Sequence, residues 1–261
     1  MFQKVWNLLC GFPLMVPTFL YQSVHFDHHK QNFYGTEKDG EYVPFALKGR
    51  GLILLHIGFS FLIPLIFLFR FVMLTPLSYL SSGLRKFVDQ KISSLNIDLN
   101  YERPQPSMGR NEGWKFQELL ASLYGIGSIV LILLKIMPAK ALFMWYCLGA
   151  SLFLVNSVRT LAAHHYRNAE EGELSFTDQM LDSINNPGNR WITPLWAPVG
   201  LRFHATHHLF PDLPYHVLGK AHDRLLKDHG INSLYGQTVQ SGLWPTLSQL
   251  WKQASFNNLN K

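Results

Sequence analysis

Two histidine clusters with the same spacing are the part of this sequence that could do chemistry. The pattern H-x-x-H-H occurs twice, as His25, His28 and His29 and as His204, His207 and His208. In a helix, positions i, i+3 and i+4 lie on one face, so each set of three imidazoles can point at one spot. Two copies among only 12 histidines are hard to assign to chance. The repetition predicts a metal site.

The number of available ligands indicates how many metal ions the site holds and which chemistry they suit. Imidazole binds iron, copper, zinc and nickel, but a zinc site takes about four ligands. The two clusters already offer six imidazoles, and His164 and His165 offer more. The surplus indicates two metals, and paired metals near a membrane suit oxygen activation, because a redox-active metal can carry out chemistry that side chains cannot.

Metal-assisted hydrolysis is the competing reading of the same clusters. It would need an open coordination position and a general base such as Glu, and the motif H-E-x-x-H is absent. Glu170, Glu171 and Glu173 are the nearest candidate bases in sequence, but a run of acidic residues is typical of a solvated segment.

Composition and charge indicate an integral membrane protein. The 261 residues are 48% hydrophobic and only 15% charged, against about 25% charged in soluble domains. The net charge of +6 comes from Lys and Arg that flank apolar runs, which favours positive-inside flanks over nucleic acid as a partner. Cys10 and Cys147 both lie in apolar runs, so neither a disulfide framework nor a Cys-based zinc site is indicated. No linker divides the chain, and we predict a single domain over 1–261.

The apolar runs predict few membrane crossings. Residues 118–137 and 140–160 predict two spanning helices joined by a tight hairpin at Met137, Pro138 and Ala139. Residues 5–24 are also apolar, but Pro13 and Pro17 interrupt them. From His164 onward no apolar run is long enough to span.

The apolar stretch 51–80 decides the topology. As one crossing it would put His29 and His164 on opposite sides of the bilayer, which a shared metal forbids. Basic residues stand at both ends of the stretch: Lys48, Arg50, Arg85, Lys86 and Lys91. We therefore predict that 51–80 enters and leaves by one face, bending near Pro64 or Arg70.

The predicted fold is an all-α integral membrane protein with few transmembrane helices and re-entrant hydrophobic segments. A helical cap on the cytosolic side carries the histidine clusters and includes an amphipathic helix around 221–227. The single histidines His56, His222 and His229 are read as ordinary core or surface residues.

The clusters and their flanks resemble those of the membrane fatty acid desaturase family, integral-membrane di-iron enzymes with three histidine boxes. The cluster at His25 resembles the second box and is followed by Lys30-Gln-Asn-Phe-Tyr-Gly-Thr and by Asp39-Gly-Glu-Tyr. The cluster at His204 continues as Leu-Phe-Pro and then Pro214-Tyr-His216, like the third box with its tail. The segment from Arg159 to His164 resembles the one that supplies an extra histidine ligand.

The resemblance implies a non-haem di-iron centre that uses dioxygen and two electrons to desaturate a lipid acyl chain. Relatives in the superfamily hydroxylate or ketolate instead. The electrons would come from a separate ferredoxin or cytochrome-type donor, because this chain has no Cys-rich segment. The implied iron ligands are His25, His28, His29, His164, His204, His207 and His208.

Other residues are candidates for supporting these ligands. His165 and His216 are expected beside ligands or in structural roles. Asp27, Asp182 and Asn185 are candidates for orienting ligand imidazoles. Asn156 could reach the site through a water.

One departure from the family pattern is the first box. Twenty-four residues precede His25 and none is histidine, so the family's H-x-x-x-H or H-x-x-x-x-H box has no counterpart. The expectation from this pattern is an N-terminally truncated chain that binds iron incompletely and has little activity. An inactive relic that keeps only the fold is the corresponding alternative.

Overall fold

The computed structural model describes residues 2–104, 108–168 and 172–254. Within these residues every regular element is a helix, and the only β pairings are isolated bridges. The all-α prediction is therefore confirmed. The α-helices are Phe2–Trp6, Phe19–His28, Arg50–Phe59, Ile63–Phe69, Thr75–Ser78, Ser82–Lys91, Met108–Leu133, Lys140–Leu161, Phe176–Asp182, Thr193–Trp196, His204–Leu209, Leu218–His229 and Leu243–Gln253. Asn7–Gly11 and Arg70–Leu74 are π-helical, and Tyr215–Val217 and Gly236–Thr238 are 3-10 turns.

Two helices are long and apolar enough to cross a membrane. They are Gly113–Leu133, the apolar part of Met108–Leu133, and Lys140–Leu161, with 21 and 22 residues. Both exceed or match the ~20 residues that a bilayer requires. The predicted pair of helices of spanning length and the short connection between them are confirmed, although the first helix begins well before the apolar run at 118.

The third apolar stretch is broken, as predicted. One helix ends at Phe59 and the next begins at Ile63, and the pair is bent at this break. Pro64 stands in the first turn of the second helix, where its missing N–H costs nothing. In the interior of one continuous helix the same proline would remove a backbone hydrogen bond, so it favours a break at this point. That the stretch enters and leaves the bilayer by one face stays a prediction.

The described chain forms two compact units that interleave along the sequence. The first comprises Met1–Phe26 and Gly58–Leu154, and the second Asp27–Ile57 and Val155–Lys261. Neither is continuous in sequence, and the single-domain prediction stays a prediction.

The first unit contains most of the apolar helical segments and a buried ion pair. Its core includes Phe19, Phe67 and Phe71. Arg70, fully buried in the π-helical turn, donates to the Glu118 carboxylate at 2.7 Å. A buried arginine needs such a partner, since an unpaired charge away from water is strongly unfavourable.

The second unit contains all but one of the predicted metal ligands. Antiparallel bridges pair His164 with Ser183 and Asn185 with Phe203. The segment 183–185 therefore pairs on one side with the backbone at His164 and on the other with the residue before His204. The predicted amphipathic cap helix is present as Leu218–His229. No membrane-spanning candidate follows Leu161 in the described residues, as predicted.

Candidate metal centre

Four imidazoles converge in the interior of the second unit. His28, His164, His204 and His208 are between 1% and 7% exposed, and one nitrogen of each lies within 4.8 Å of the others. The Nε2 atom of His204 is 2.8 Å from Nε2 of His164 and 3.2 Å from Nε2 of His208. Converging imidazole nitrogens form a donor set suited to a transition metal.

The electrostatics keep three of these rings in the metal-binding form. Burial lowers the pKa of His164, His204 and His208 well below the usual value, and the neighbouring histidines lower it further. All three rings are therefore neutral near pH 7, with a nitrogen lone pair for a metal. The donor set and its protonation state fit a metal ion held by nitrogen ligands.

His28 is oriented by a buried carboxylate. Its Nδ1 donates to Oδ2 of Asp39 at 2.8 Å, and Asp39 is fully buried. Burial lowers the pKa of His28, but the attraction and hydrogen bond of Asp39, together with the attraction of Glu41 and Asp182, outweigh it, so the pKa lies above its usual value. With the proton fixed on Nδ1, the Nε2 lone pair is left for a metal, the arrangement that carboxylates impose on metal-binding histidines.

The chain around Asp39 is shaped to hold this carboxylate. Gly35 adopts a φ of +67°, a conformation that side chains disfavour. Its N–H donates to Asp39 Oδ2, and the N–H of Glu41 donates to Oδ1, both at 2.9 Å. The turn therefore fixes the position of the carboxylate that orients His28.

A tyrosine and an aspartate orient His164. The Tyr34 hydroxyl donates to Asp182 Oδ2 at 2.9 Å and lies 2.7 Å from His164 Nδ1. Burial raises the pKa of Tyr34 well above its usual value, so the hydroxyl keeps its proton. Because that proton goes to Asp182, the Tyr34 oxygen accepts from Nδ1–H of His164. The relay leaves His164 Nε2 unprotonated toward the cluster.

Two further residues complete this relay. Tyr42 also donates to Asp182 Oδ2, at 3.0 Å. The Ser183 hydroxyl donates to the Gln179 carbonyl at 2.9 Å, so its oxygen, 3.3 Å from His164 Nδ1, is a second acceptor for that ring. Both contacts favour the same His164 tautomer.

His204 and His208 are positioned by the backbone of a short helix. They stand four residues apart in His204–Leu209, and the Nδ1 of His204 is buried without a hydrogen-bond partner among the described residues. Asn185 Oδ1 instead anchors the helix, accepting from the N–H of Thr206 at 3.1 Å and its hydroxyl at 3.2 Å. In the part of the chain that the structure describes, Asn185 therefore hydrogen-bonds the helix that carries two of the imidazoles and not the imidazoles themselves.

The expected convergence of each triplet on one spot is wrong for both copies, because the buried group contains only His28 of the upstream triplet and only His204 and His208 of the downstream triplet. His207 is half-buried and outside the buried four, and its ring packs at 4.5 Å against that of His29, also half-buried. In a helix, i and i+4 differ by about 40° and i+3 falls on the other side of i. His204 and His208 therefore share a direction that His207 does not.

The remaining predicted ligand belongs to the other unit. His25 lies one turn before His28 on helix Phe19–His28, and its ring stacks on Tyr21 at 4.7 Å within the first unit.

The other candidate residues are placed as follows. Asp27 pairs with the exposed Lys30. His165 is buried beside His164, but the four-histidine cluster does not include it. His216 and Asn156 are exposed, and the side-chain Oδ1 of Asn156 accepts a hydrogen bond from Arg159.

The candidate bases for hydrolysis gain no support. Glu173 is exposed, whereas Glu170 and Glu171 lie outside the described residues.

Sequence reasoning missed the roles of Tyr34 and Asp39. Both lie in the stretch that follows the first cluster, which was noted only as a family-like continuation. A tyrosine and an aspartate on either side of the turn residue Gly35 were the available signal. Asp39 contacts His28 only 11 positions away, but Tyr34 contacts His164 across 130 positions, which no local pattern reveals. His222, read as an ordinary histidine, is buried and bonds the Tyr235 hydroxyl at 2.7 Å.

Comparison with known proteins gives a consistent picture. The model of the family described as "Fatty acid desaturase" matches residues 1–234. A ceramide hydroxylase of Caulobacter vibrioides (strain NA1000 / CB15N) is 36% identical over 262 residues, covering 98% of this chain and 73% of that protein. No solved structure matches the chain.

Proposed function

Because this chain belongs to the fatty acid desaturase family, we propose that it is a membrane-bound, non-haem di-iron oxidoreductase that oxidises a C–H bond in the hydrocarbon chain of a lipid. The observation that carries the proposal is the convergence of four buried imidazole nitrogens within 4.8 Å. The two apolar helices of spanning length and the family membership both indicate an integral membrane enzyme.

The proposed ligands are the seven histidines expected from the sequence. The buried group of His28, His164, His204 and His208 would hold one iron. His29 and His207, joined by His25 on the strength of its place in the H-x-x-H-H motif, would serve the second. When bound, the irons supply the activation of dioxygen that no side chain can provide.

The protein's own residues prepare the site. Asp39 and the Tyr34–Asp182 relay hold the protons of two rings on Nδ1, so that Nε2 is presented without a competing proton. The burial of the four rings excludes water, and an oxidising site benefits from that exclusion because water and stray protons divert reactive intermediates.

We propose hydroxylation as the favoured outcome, because the relative with 36% identity is named for it. The reaction converts a C–H bond, dioxygen, two electrons and two protons into C–OH and water. An amide-linked acyl chain of the ceramide type would be the substrate. Desaturation, favoured by the family match, uses the same oxidant and electrons but removes two hydrogens and yields two waters.

The electrons are proposed to come from a separate ferredoxin or cytochrome-type protein. The chain's two cysteines are too few for an iron–sulfur cluster. The basic residues flanking the apolar stretch favour a cytosolic position for the histidines, where such a donor would reach them.

Lipid analysis tests this function. Cells that express the chain are compared with cells that express His204→Ala, and with a control carrying His229→Ala, an exposed histidine outside the cluster. Growth under isotopically labelled dioxygen should give lipids one labelled oxygen heavier for hydroxylation, or two hydrogens lighter for desaturation. Identical lipid profiles for the unmodified chain and His204→Ala would refute both outcomes.

A further inference from the structure

An apolar groove in the second unit has no role in the site described above. It encloses about 290 Å³, near the lower end of small-molecule sites. Its walls come from three helices: Ile53 and Ile57 of Arg50–Phe59, Val158 and Leu161 of Lys140–Leu161, and Trp244, Leu247, Ser248, Leu250 and Trp251 of Leu243–Gln253. Ser248 is the one polar side chain among them.

Two of the three helices that line the groove belong to candidate membrane spans. Lys140–Leu161 is a spanning candidate, and Arg50–Phe59 is half of the broken one. Two of the three walls thus come from segments whose length and apolar composition suit a bilayer. At the rim, Trp244 is 77% exposed, and an exposed tryptophan of this kind is typical of the boundary between lipid and water.

The floor of the groove leads toward the histidine cluster along the chain. Leu161 is 1% exposed and precedes the cluster residue His164 by three positions. The groove-forming helix Leu243–Gln253 is tied to the same segment, because Thr246 donates to Asn186 Oδ1 and Asn186 donates to the Ala162 carbonyl, both at 3.0 Å. The third wall is therefore fixed to the backbone that carries a candidate ligand.

Arg50 holds one residue of the groove wall in place. The Nε of Arg50 donates to the Trp251 carbonyl at 2.9 Å, and its guanidinium lies 5.2 Å from the centre of the Trp251 ring. An apolar groove of this size, with Ser248 as its one polar side chain, matches a hydrocarbon chain.

We propose that this groove binds the hydrocarbon chain of a bilayer lipid, and that it is a chain-binding subsite of the enzyme. The inference rests on the proposed function for its link to lipid oxidation, but occupancy of the groove is a separate property. Helix Leu243–Gln253 lies beyond residue 234, where the family match ends. The family match therefore does not include this wall of the groove.

Photolabelling tests the proposal on the purified full chain. The probe is palmitic acid with a diazirine in its hydrocarbon chain, and cross-linked peptides are identified by mass spectrometry. Labelling should concentrate on 155–161 and 243–253 and should disappear with excess unlabelled palmitic acid. Labelling that is not competed, or that spreads evenly over the lipid-facing helix Gly113–Leu133, would overturn the proposal.

A matched pair of variants locates the bound chain. Ile57→Trp places an indole in the groove and should lower labelling about tenfold, because the indole and the hydrocarbon chain of the probe cannot occupy the same space. Leu54→Trp places the same side chain on the same helix at a position 55% exposed and outside the groove lining, and should leave labelling unchanged. Ser248→Trp fills the groove from the opposite helix and gives an independent reading if Ile57→Trp does not fold. Unchanged labelling in folded groove-filling variants would contradict the assignment.

Iron content and lipid oxidation measured on the same samples separate the two proposals. Bound iron and oxidised lipid without groove labelling would refute the proposal that the groove binds lipid and would leave the proposed function unaffected. Competed groove labelling without oxidised lipid would refute the proposed function and leave the groove standing. Light scattering that shows a dimer whose contact excludes the probe would assign the groove to a second copy of the chain and refute the lipid proposal.

Discussion

Replacing Asp39 by Asn should weaken iron binding without a change in side-chain shape. The carboxylate of Asp39 accepts three hydrogen bonds, from His28 Nδ1 at 2.8 Å and from the N–H groups of Gly35 and Glu41 at 2.9 Å. An amide has one oxygen and one NH₂ group. In either orientation the NH₂ group of Asn therefore faces a donor.

The two orientations have different consequences for the metal ligand. If the NH₂ group faces Glu41, a buried backbone donor loses its partner and the fold loses about 1–3 kcal/mol. If it faces His28, the ring must move its proton to Nε2, the nitrogen that would bind the metal. Loss of such an orienting partner lowers metal affinity about 10- to 100-fold, which corresponds to about 1.4–2.8 kcal/mol of binding free energy.

Chelator competition on the purified protein measures this loss. Asp228→Asn is the control, since Asp228 forms a surface pair with Arg224 in which both side chains are more than half exposed, and such pairs contribute about 0–1 kcal/mol. The control should keep the affinity of the unmodified chain. Equal iron affinity for Asp39→Asn and Asp228→Asn would refute the role given to Asp39.

Three other predictions follow from the same site. Tyr34→Phe removes the hydroxyl between His164 and Asp182 and should lower iron affinity about tenfold with little change in fold. Iron titration measures the affinity and circular dichroism the fold, and unchanged affinity would contradict the role of Tyr34 in orienting His164. Asn185→Ala leaves the buried N–H of Thr206 without its partner and should lower the free energy of unfolding by about 1–3 kcal/mol in thermal or denaturant melts, and an unchanged melt would exclude this anchoring role. The metal-free protein should lose stability as pH falls below about 6.5. Burial lowers the pKa values of three cluster rings in the folded protein, so these rings stay neutral when the chain is folded but take up protons when it is unfolded. His28, with its raised pKa, opposes this trend, so a melting temperature that rises on acidification would mean that His28 outweighs the other three.

Apolar periodicity and length were sufficient for the membrane part of the fold. Two runs of about twenty apolar residues predict helices of spanning length, and a proline in the middle of the third run predicts a break there. The helical boundaries were less accessible, because helix Met108–Leu133 extends ten residues before its apolar run at 118. A spanning helix can continue into water as an ordinary helix, so hydropathy marks where the lipid begins and not where the helix does.

The histidines could be found from spacing, but the residues that orient them could not. A metal ligand must be one of a few residue types, and repeated H-x-x-H-H makes it visible. An orienting residue needs only one hydrogen bond to a ring nitrogen, and tyrosine, serine, aspartate and asparagine can all provide it. Asp182 was a correct candidate, acting on His164 through Tyr34, whereas Asp27 faces Lys30 instead. Only the tertiary structure separates such cases.

The division of each motif between two environments explains why the pattern occurs twice. In the upstream copy His28 is buried with the cluster and His29 is half-buried. In the downstream copy His208 is buried and His207 is half-buried, and the ring of His29 packs against those of both. Each pair of adjacent histidines therefore sends one ring inward and one outward, because neighbouring residues on a helix point about 100° apart. A single motif could line only one side of either group. Two motifs that face each other supply both sides, and neither group could form from one copy of the sequence.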